Sequence, residues 1–433
     1  MRSKRIRAIV AGIALALCVA FAAVFGGCRA KDGRDGINGK DLNIFDIYEA
    51  AKQETGNYDM TFEEFLKEYL SYTSGELEDA TSLKAAINKS LMSAVTVQAD
   101  FSSVSASNRG SGVIIDVDRT KGDMLVITNC HVLYNAAASG NRYSDSVYLW
   151  LYGSESSSPQ ANAANAIPAK IVGASLNYDL ALLKVTANDL VKRSKAERAR
   201  WSRAEENYLG ETVYAIGNAN DQMLSANVGY ISKDLEAVTV DIGSDKYTYN
   251  VMRTSATINA GNSGGGLFNG SGELVGIVNA KGKDAVGVGY AIPASTARRI
   301  INRMILDNDG TEKHYVRLLN CGIDVYVSDS YSTGLNDKGF AEIYEQVTVK
   351  GIKDTHDPAF NKIETGDVIA RVKIMQDGGT IEDMQINRLH NFTDLLLSVE
   401  VGNTVQITVL RGENREEKVF TLNYNSSHFG QVN

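Results

Sequence analysis

The stretch Asn259-Ala260-Gly261-Asn262-Ser263-Gly264-Gly265-Gly266 places one serine among glycines and small residues, with apolar, strand-like sequence on both sides. Glycine tolerates backbone angles that other residues resist, and it lets a ligand approach the main chain closely. A nucleophilic serine needs such a backbone if two N–H groups are to face an oxyanion beside it. A glycine-rich hairpin turn fits the octapeptide equally well, so this stretch alone leaves both interpretations open.

Two further stretches favour the catalytic interpretation. The first, Ile127-Thr128-Asn129-Cys130-His131-Val132-Leu133, carries the only histidine before Ser263 and ends a strand-like apolar run. The second, Asn177-Tyr178-Asp179-Leu180-Ala181-Leu182-Leu183-Lys184-Val185, has an acid that opens an apolar run typical of a buried strand. Taken singly, such a histidine is usually structural and such an acid is usually a turn residue. Their chain order, His131, Asp179, Ser263, is that of chymotrypsin-type proteases rather than subtilisins or α/β-hydrolases.

The three motifs together resemble those of the HtrA (DegP-like) trypsin-fold serine proteases. Further pieces of the chain resemble the same family and stand in the family's order: Gly110–Ile115, Ala215–Asn218, Gly229–Ser232 and Gly289–Pro293. The resemblance implies a mainly β fold with two six-stranded barrels in a protease domain over residues 84–306. His131 and Asp179 would come from the first barrel and Ser263 from the second.

The resemblance also implies a role for each residue of the site. Ser263 would be the nucleophile, His131 its general base, and Asp179 the group that fixes the imidazole tautomer. The predicted oxyanion hole comprises Gly261, Asn262 and Ser263, with backbone N–H groups as donors. Because Asn262 is neutral, it cannot pair with a new N-terminal amine, so we expect no activation by zymogen cleavage.

The substrate-binding pocket for the residue before the cleaved bond is predicted from the register of the second barrel. The resemblance to the trypsin fold implies that the residue six positions before Ser263, which is Thr257, lies at the bottom of this S1 pocket, with Ile258 and Asn279 as further lining residues. None of these is charged, and a substrate lysine buried there would lack a partner. We therefore expect cleavage after Val, Ala or Ile. The alternative is that a loop brings an acid such as Asp284 into the pocket.

Composition limits the other classes of function. The chain has 433 residues, of which 44% are hydrophobic and 22% charged, as in ordinary globular proteins of two or three domains. Its net charge of −8 argues against nucleic acid as a partner. The cysteines at 18, 28, 130 and 321 have no metal-ligand spacing, so we expect neither a metal nor another cofactor. We also expect no disulfide between Cys130 and Cys321.

The N-terminus resembles a bacterial lipoprotein signal over residues 1–28. A basic segment precedes an apolar run and the small residues before Cys28, which would carry the lipid. Phe25 departs from the usual leucine, and an uncleaved membrane helix is the alternative. Either anchor predicts a bacterial cell membrane protein facing outside the cytoplasm. Residues 29–83 are predicted to form a glycine-repeat spacer and a helical prefix, with a helix over 81–92 that leads into the protease domain.

The C-terminal part resembles a PDZ domain of the protease-associated type over residues 315–425. Its predicted carboxylate-binding turn is Cys321-Gly322-Ile323, and C-terminal peptides would be its ligands. A helix capped by Ser295, ending at Asp307, is predicted before it. The family resemblance also implies a homotrimer.

Two functions from different classes fit this sequence. The first is a membrane-tethered serine endopeptidase that cleaves unfolded or damaged envelope proteins. The second is a peptide-binding scaffold or chaperone in which proteolysis is vestigial. The three triad residues favour the first, because a chain released from selection for catalysis could lose any of them.

Overall fold

The computed structural model describes residues 83–155, 159–202, 209–242, 245–281, 287–336 and 339–432. Leu83–Asn433 forms one compact unit. The signal segment, Cys28, the spacer and the prefix before residue 83 lie outside the described residues. Over the described ranges, no helix is long and apolar enough to cross a membrane.

The first part of the unit is a closed β-barrel that follows helix α1 (Leu83–Leu91), the helix predicted over 81–92. Its strands are β1 (Ala94–Phe101), β2 (Ala106–Asp118), β3 (Asp123–Thr128), β4 (Ser146–Leu151), β5 (Ile167–Ser175) and β6 (Leu180–Val185), in the order β1-β2-β3-β6-β5-β4. Alternating β-branched residues of β1, such as Val95 and Val97, fill the barrel with no exposed surface. Two short helices, α2 (Pro159–Ala164) and α3 (Asp189–Arg193), lie in the connections.

The second part is a seven-stranded sheet that closes on itself. It comprises β7 (Arg200–Trp201), β8 (Thr212–Gly217), β9 (Ser225–Ile242), β10 (Asp245–Thr254), β11 (Gly266–Asn269), β12 (Glu273–Lys281) and β13 (Gly289–Pro293). The order is β11-β8-β9-β10-β13-β12-β7, and an additional β11–β12 pairing closes six of the strands into a barrel. The stacked rings of Tyr214 and Phe268, 5.6 Å apart, are fully buried in its core. The prediction of a mainly β fold with two barrels is confirmed.

Helix α4 (Ala294–Leu306) follows the second barrel and ends before Asp307, as predicted. Its predicted start was wrong, because Pro293 rather than Ser295 is the N-cap residue and no side chain caps the helix. Pro293 has φ −56° and ψ 142°, which ends the preceding strand and directs the chain into the first helical turn.

The C-terminal part is an antiparallel sheet with one helix. Its elements are β14 (Val316–Leu319), β15 (Ile323–Leu335), β16 (Ala341–Ile352), β17 (Val368–Gln376), β18 (Gly379–Gln385), α5 (Leu389–Leu396), β19 (Thr404–Arg411), β20 (Glu416–Asn423) and β21 (Phe429–Val432). The main sheet has the order β15-β16-β17-β19-β20, with β18 beside β17, while β14 pairs with β21. The pairing therefore continues past residue 425, the end predicted for this domain.

Polar contacts fix the C-terminal sheet to the second barrel and helix α4. Thr296 donates a hydrogen bond to Asp394 Oδ2 at 2.6 Å, and Arg299 Nη2 lies 2.9 Å from Glu382. Arg388 bridges to Asp234 of the second barrel at 2.8 Å. Burial raises the pKa of Asp394, although the Thr296 hydrogen bond opposes the rise. These contacts connect the two parts through specific side chains.

Candidate active site

The predicted histidine and aspartate lie at the same end of two neighbouring strands. His131 sits in the short 3-10 helix Cys130–Val132 that follows β3, and Asp179 lies in the turn before β6. Thr128 pairs with Ala181 in the antiparallel β3–β6 ladder, so the end of one strand meets the start of the other. Asp179 adopts a left-handed φ of 49°, a conformation that aspartate tolerates better than most residues.

The Asp179 carboxylate is fully buried and accepts three hydrogen bonds. Oδ1 accepts the main-chain N–H of His131 at 2.8 Å, and Oδ2 lies 2.6 Å from His131 Nδ1. Oδ2 also accepts the Asn279 side-chain amide at 2.6 Å. Three donors therefore hold the carboxylate in one orientation, with Oδ2 directed at the imidazole.

The electrostatic surroundings of His131 favour an imidazole that accepts a proton readily. Burial by itself lowers the pKa of His131, but the charge of Asp179 and its hydrogen bond raise it. The net result is a pKa above the ordinary histidine value of 6.5. A general base with such a pKa is well matched to chemistry near neutral pH.

Asn279 contacts both the aspartate and the serine of the predicted triad. Its side-chain amide donates to Asp179, and Tyr249 donates its hydroxyl to Asn279 Oδ1 at 3.0 Å. Its main-chain carbonyl accepts the Ser263 hydroxyl at 2.8 Å. The sequence prediction placed Asn279 in the S1 pocket, whereas the structure directs its side chain onto Asp179. No local sequence pattern indicates this contact, because it depends on how β12 packs against the first barrel.

The hydroxyl of Ser263 is directed at the Asn279 carbonyl. Within the described residues it makes no hydrogen bond to His131. Catalytic hydrogen bonds are often loose in enzymes without substrate, so this geometry describes a resting state. A side-chain rotation of Ser263 would exchange the Asn279 carbonyl for the imidazole as its acceptor.

The turn from Asn259 to Ser263 has every carbonyl engaged. The Asn259 carbonyl accepts from Asn262 N–H at 3.1 Å, and the Asn262 carbonyl accepts from Gly265 N–H at 2.9 Å. The Ser263 carbonyl accepts from Ser111 N–H at 2.8 Å. The Ala260 carbonyl accepts from Asn220 N–H at 2.7 Å, and the Gly261 carbonyl accepts from Ser111 Oγ at 2.7 Å. Gly261 has φ 93°, as the third residue of a type II turn requires.

Four N–H groups of this turn, those of Asn259, Ala260, Gly261 and Ser263, have no acceptor in the part of the chain that the structure describes. Gly261 and Ser263 are the two of these that belong to the predicted oxyanion hole. Asn262, the third predicted member, donates its N–H to Asn259 and therefore cannot donate to a substrate in this conformation. Such a pair of free donors beside a serine can bind a negatively charged oxygen.

The two other residues predicted for the S1 pocket differ in their surroundings. Thr257 is exposed, while Ile258 is buried at 7% exposure among apolar residues of the second barrel, including Ile231 and Met252. The specificity assignment stays a prediction, and Asp284, its alternative, lies outside the described residues.

The predicted carboxylate-binding turn connects β14 and β15 and already holds a carboxylate. Gly322 N–H donates to Asp357 Oδ2 at 2.9 Å, and Asp357 is buried. A Cβ at position 322 would lie 3.1 Å from the Asp357 Cβ, so glycine permits this close approach. Cys321 is a free thiol, as is Cys130, and burial raises the pKa of Cys321 to about 11.

Comparisons with known proteins agree with this geometry. Residues 110–277 match the trypsin-like peptidase domain family. The chain is 28% identical over 346 residues to the serine protease Do-like HtrA of Bacillus subtilis, covering 78% of this chain and 68% of the relative. It is 28% identical over 352 residues to the serine endoprotease DegS of Haemophilus influenzae, covering 77% and 88%.

A solved structure shares the fold. The HtrA-type protease AlgW with a tripeptide superposes with a TM-score of 0.50 and 21% identity, covering 79% of this chain and 97% of that one. The peptidase domain and the relatives identify the chain as a trypsin-like serine endopeptidase. Within that class, the relatives support a protease of the HtrA type.

Proposed function

We propose that this protein is a membrane-tethered HtrA-type endopeptidase that hydrolyses unfolded or damaged envelope proteins through an acyl-enzyme at Ser263. The observation that carries the proposal is the pairing of His131 with a buried Asp179 beside a turn whose Gly261 and Ser263 N–H groups are free. A vestigial protease would have no reason to keep both arrangements intact.

In the proposed reaction, the Ser263 hydroxyl leaves the Asn279 carbonyl and donates to His131 Nε2. As its oxygen attacks the substrate carbonyl, His131 takes the proton and Asp179 stabilises the imidazolium. The carbonyl oxygen becomes an oxyanion that accepts from Gly261 and Ser263 N–H. His131 then gives the proton to the leaving amine, and water releases the acyl group by the same steps.

The Asp179 hydrogen bonds support the role that we propose for it. Because Nδ1 of His131 faces a carboxylate oxygen that can only accept, the ring proton is held at Nδ1 and Nε2 keeps its lone pair. Nε2 is then available to accept the Ser263 proton. Asn279 donates to the same oxygen, Oδ2, and so resists rotation of the carboxylate.

The substrates that we propose are unfolded polypeptides cleaved after Val, Ala or Ile. The absence of charge on Thr257 and Ile258 supports this specificity, and the name of the relative, serine protease Do-like HtrA, supports polypeptide substrates. A homotrimer is proposed from the family resemblance alone.

The membrane anchor and the C-terminal ligand are also proposals. The small residues before Cys28 support a lipid anchor and a location on the outer face of a bacterial cell membrane. The sheet, its helix α5 and the turn at Gly322 support a PDZ-like domain. Because Asp357 occupies that turn, a C-terminal peptide would have to displace its carboxylate.

Digestion of casein tests the proposed activity. The wild-type chain should cleave it, whereas Ser263→Ala and His131→Ala should each abolish cleavage. The double variant should be no worse than either single one, because the members of a triad act as a unit. Clearly additive losses, or cleavage by Ser263→Ala, would exclude the proposed mechanism.

A further inference from the structure

Ser111 in strand β2 is a buried polar residue next to the nucleophile. Its side chain has no exposed surface, and it lies within the Gly110–Ile115 piece for which the proposed mechanism gives no role. A buried hydroxyl is stable only when its hydrogen-bonding capacity is used. The partners that Ser111 uses therefore indicate what it holds in place.

Ser111 makes three hydrogen bonds around the nucleophile turn. Its main-chain N–H donates to the Ser263 carbonyl at 2.8 Å. Its Oγ donates to the Gly261 carbonyl at 2.7 Å and accepts Asn218 N–H at 2.8 Å. Ser111 is itself held by Thr128 Oγ1, which donates to its carbonyl at 2.7 Å.

The two carbonyls that Ser111 holds belong to Gly261 and Ser263, the predicted oxyanion-hole residues whose N–H groups are free. Peptide units are planar, so the chain between fixed carbonyls has few remaining dihedral angles. Holding the carbonyls of Gly261 and Ser263 on the Ser111 side limits the directions that the intervening peptide units can take. The free Ser263 N–H belongs to a peptide unit between these two carbonyls and is kept in orientation by this restraint. The free Gly261 N–H belongs to the preceding peptide unit, whose Ala260 carbonyl accepts Asn220 N–H at 2.7 Å, in the same loop as the Asn218 N–H that Ser111 Oγ holds.

Two neighbouring glycines let the backbone approach Ser111 closely. A Cβ on Gly217 would lie 3.0 Å from Ser111 Oγ, and a Cβ on Gly264 would overlap the Ser111 carbonyl oxygen. In the described part of the chain, Ser111 Oγ is the donor to the Gly261 carbonyl. Alanine at position 111 would leave that carbonyl without its donor and Asn218 N–H without its acceptor.

We propose that Ser111 is a positioning residue that aligns the Gly261 and Ser263 N–H groups for the oxyanion. This inference rests on the proposed protease function and adds to it a residue that does not touch the substrate. Its effect should appear in the transition state, where the oxyanion forms, rather than in substrate binding.

The test compares Ser111→Ala with the wild-type full chain in detergent. The substrate is a quenched fluorescent peptide that spans a casein bond cleaved by the wild type. We expect kcat to fall by ~10–100-fold with KM within about twofold, because misaligned oxyanion donors lose part of the ~10²–10³-fold effect of each donor. A peptide boronic acid, whose tetrahedral adduct uses the same N–H groups, should bind more weakly by a similar factor.

Ser93→Ala is the matched control. Ser93 is 2% exposed and donates its Oγ to a backbone carbonyl, that of Ser90, at 2.7 Å, away from the nucleophile turn. It should lower the thermal unfolding midpoint as Ser111→Ala does, while kcat stays unchanged. If Ser111→Ala does not fold, Ser111→Cys, which keeps a weak donor of similar shape, should lower kcat in the same direction.

The outcomes distinguish a failure of the proposed protease function from a failure of the proposed role of Ser111. No cleavage of any casein bond by the wild type would overturn the protease function itself. Wild-type cleavage combined with an unchanged kcat in folded Ser111→Ala or Ser111→Cys would overturn only the role of Ser111. A rise in KM alone would also overturn it, since that result indicates lost ground-state binding.

Discussion

Replacing Asp179 by asparagine should convert this protease into a folded but nearly inactive chain. Asp179 Oδ2 accepts from His131 Nδ1 and from Asn279, both at 2.6 Å, while Oδ1 accepts His131 N–H at 2.8 Å. An amide of the same shape must place its NH₂ group at one of these positions. In the first orientation, the NH₂ group replaces Oδ2. It then faces the Asn279 NH₂ group and donates to His131 Nδ1, which forces the His131 proton onto Nε2. In the second orientation, the NH₂ group replaces Oδ1 and faces the His131 main-chain N–H, which is then left without an acceptor.

The magnitude follows from the tautomer. With the proton on Nε2, His131 cannot accept the Ser263 proton, and a loss of ~10⁴-fold in kcat is expected from the same change in a Ser-His-Asp triad. At about 1.4 kcal/mol for each factor of ten, this corresponds to roughly 5.5 kcal/mol of lost transition-state stabilisation. Each orientation leaves one buried donor unsatisfied, that of Asn279 in the first and the His131 N–H in the second, at about 1–3 kcal/mol, so this cost does not favour the second orientation.

The assay is steady-state cleavage of the casein-derived peptide, with circular dichroism to confirm folding. Asp189→Asn is the control, because Asp189 is exposed and pairs only locally with Lys192 at 2.9 Å. It should retain wild-type kcat. A folded Asp179→Asn variant within tenfold of the wild-type kcat would refute the tautomer reasoning, as would a loss confined to KM.

Three further predictions follow from the same geometry. Because the protonated imidazole of His131 cannot act as a base, kcat/KM should fall as the pH drops through the raised pKa of His131. A pH–rate profile should give a midpoint above the ordinary value of 6.5, and a midpoint below 6.5 would contradict the electrostatic account. Gly261→Ala should lose activity, because its φ of 93° disfavours a side chain and a Cβ would overlap the Asn218 carbonyl; normal kinetics would show that the turn differs in solution. Asp357→Asn should bind peptides with a free C-terminal carboxylate more tightly than the wild type, because the substitution removes a competing carboxylate at Gly322. Fluorescence anisotropy measures the two affinities, and equal affinities would show that the turn is not the ligand site.

The sequence predicted the parts of the fold that depend on local pattern. Alternating apolar residues indicated the strands, and the motifs placed His131 after one strand and Asp179 at the start of another, as they lie in the structure. The contact of Asn279 with Asp179 was not predicted, because it joins residues 100 positions apart in the chain. Nothing in the local sequence reports such a contact.

Two other features required the folded chain for the same reason. Ser111 Oγ reaches Gly261 across 150 positions of sequence, and Asp357 reaches Gly322 across 35. Side chains of these types usually face solvent or local turns, so sequence alone gives them no special role. The N-terminus of α4 was misplaced on a smaller scale, since Pro293 offered no side-chain cap to recognise.

The most direct test of the central claim is to label the nucleophile. Diisopropyl fluorophosphate should form one covalent adduct, which peptide mass mapping should place on Ser263, and His131→Ala should lose the labelling because the base is absent. An adduct on a different serine, or equal labelling of His131→Ala, would contradict the catalytic site described above.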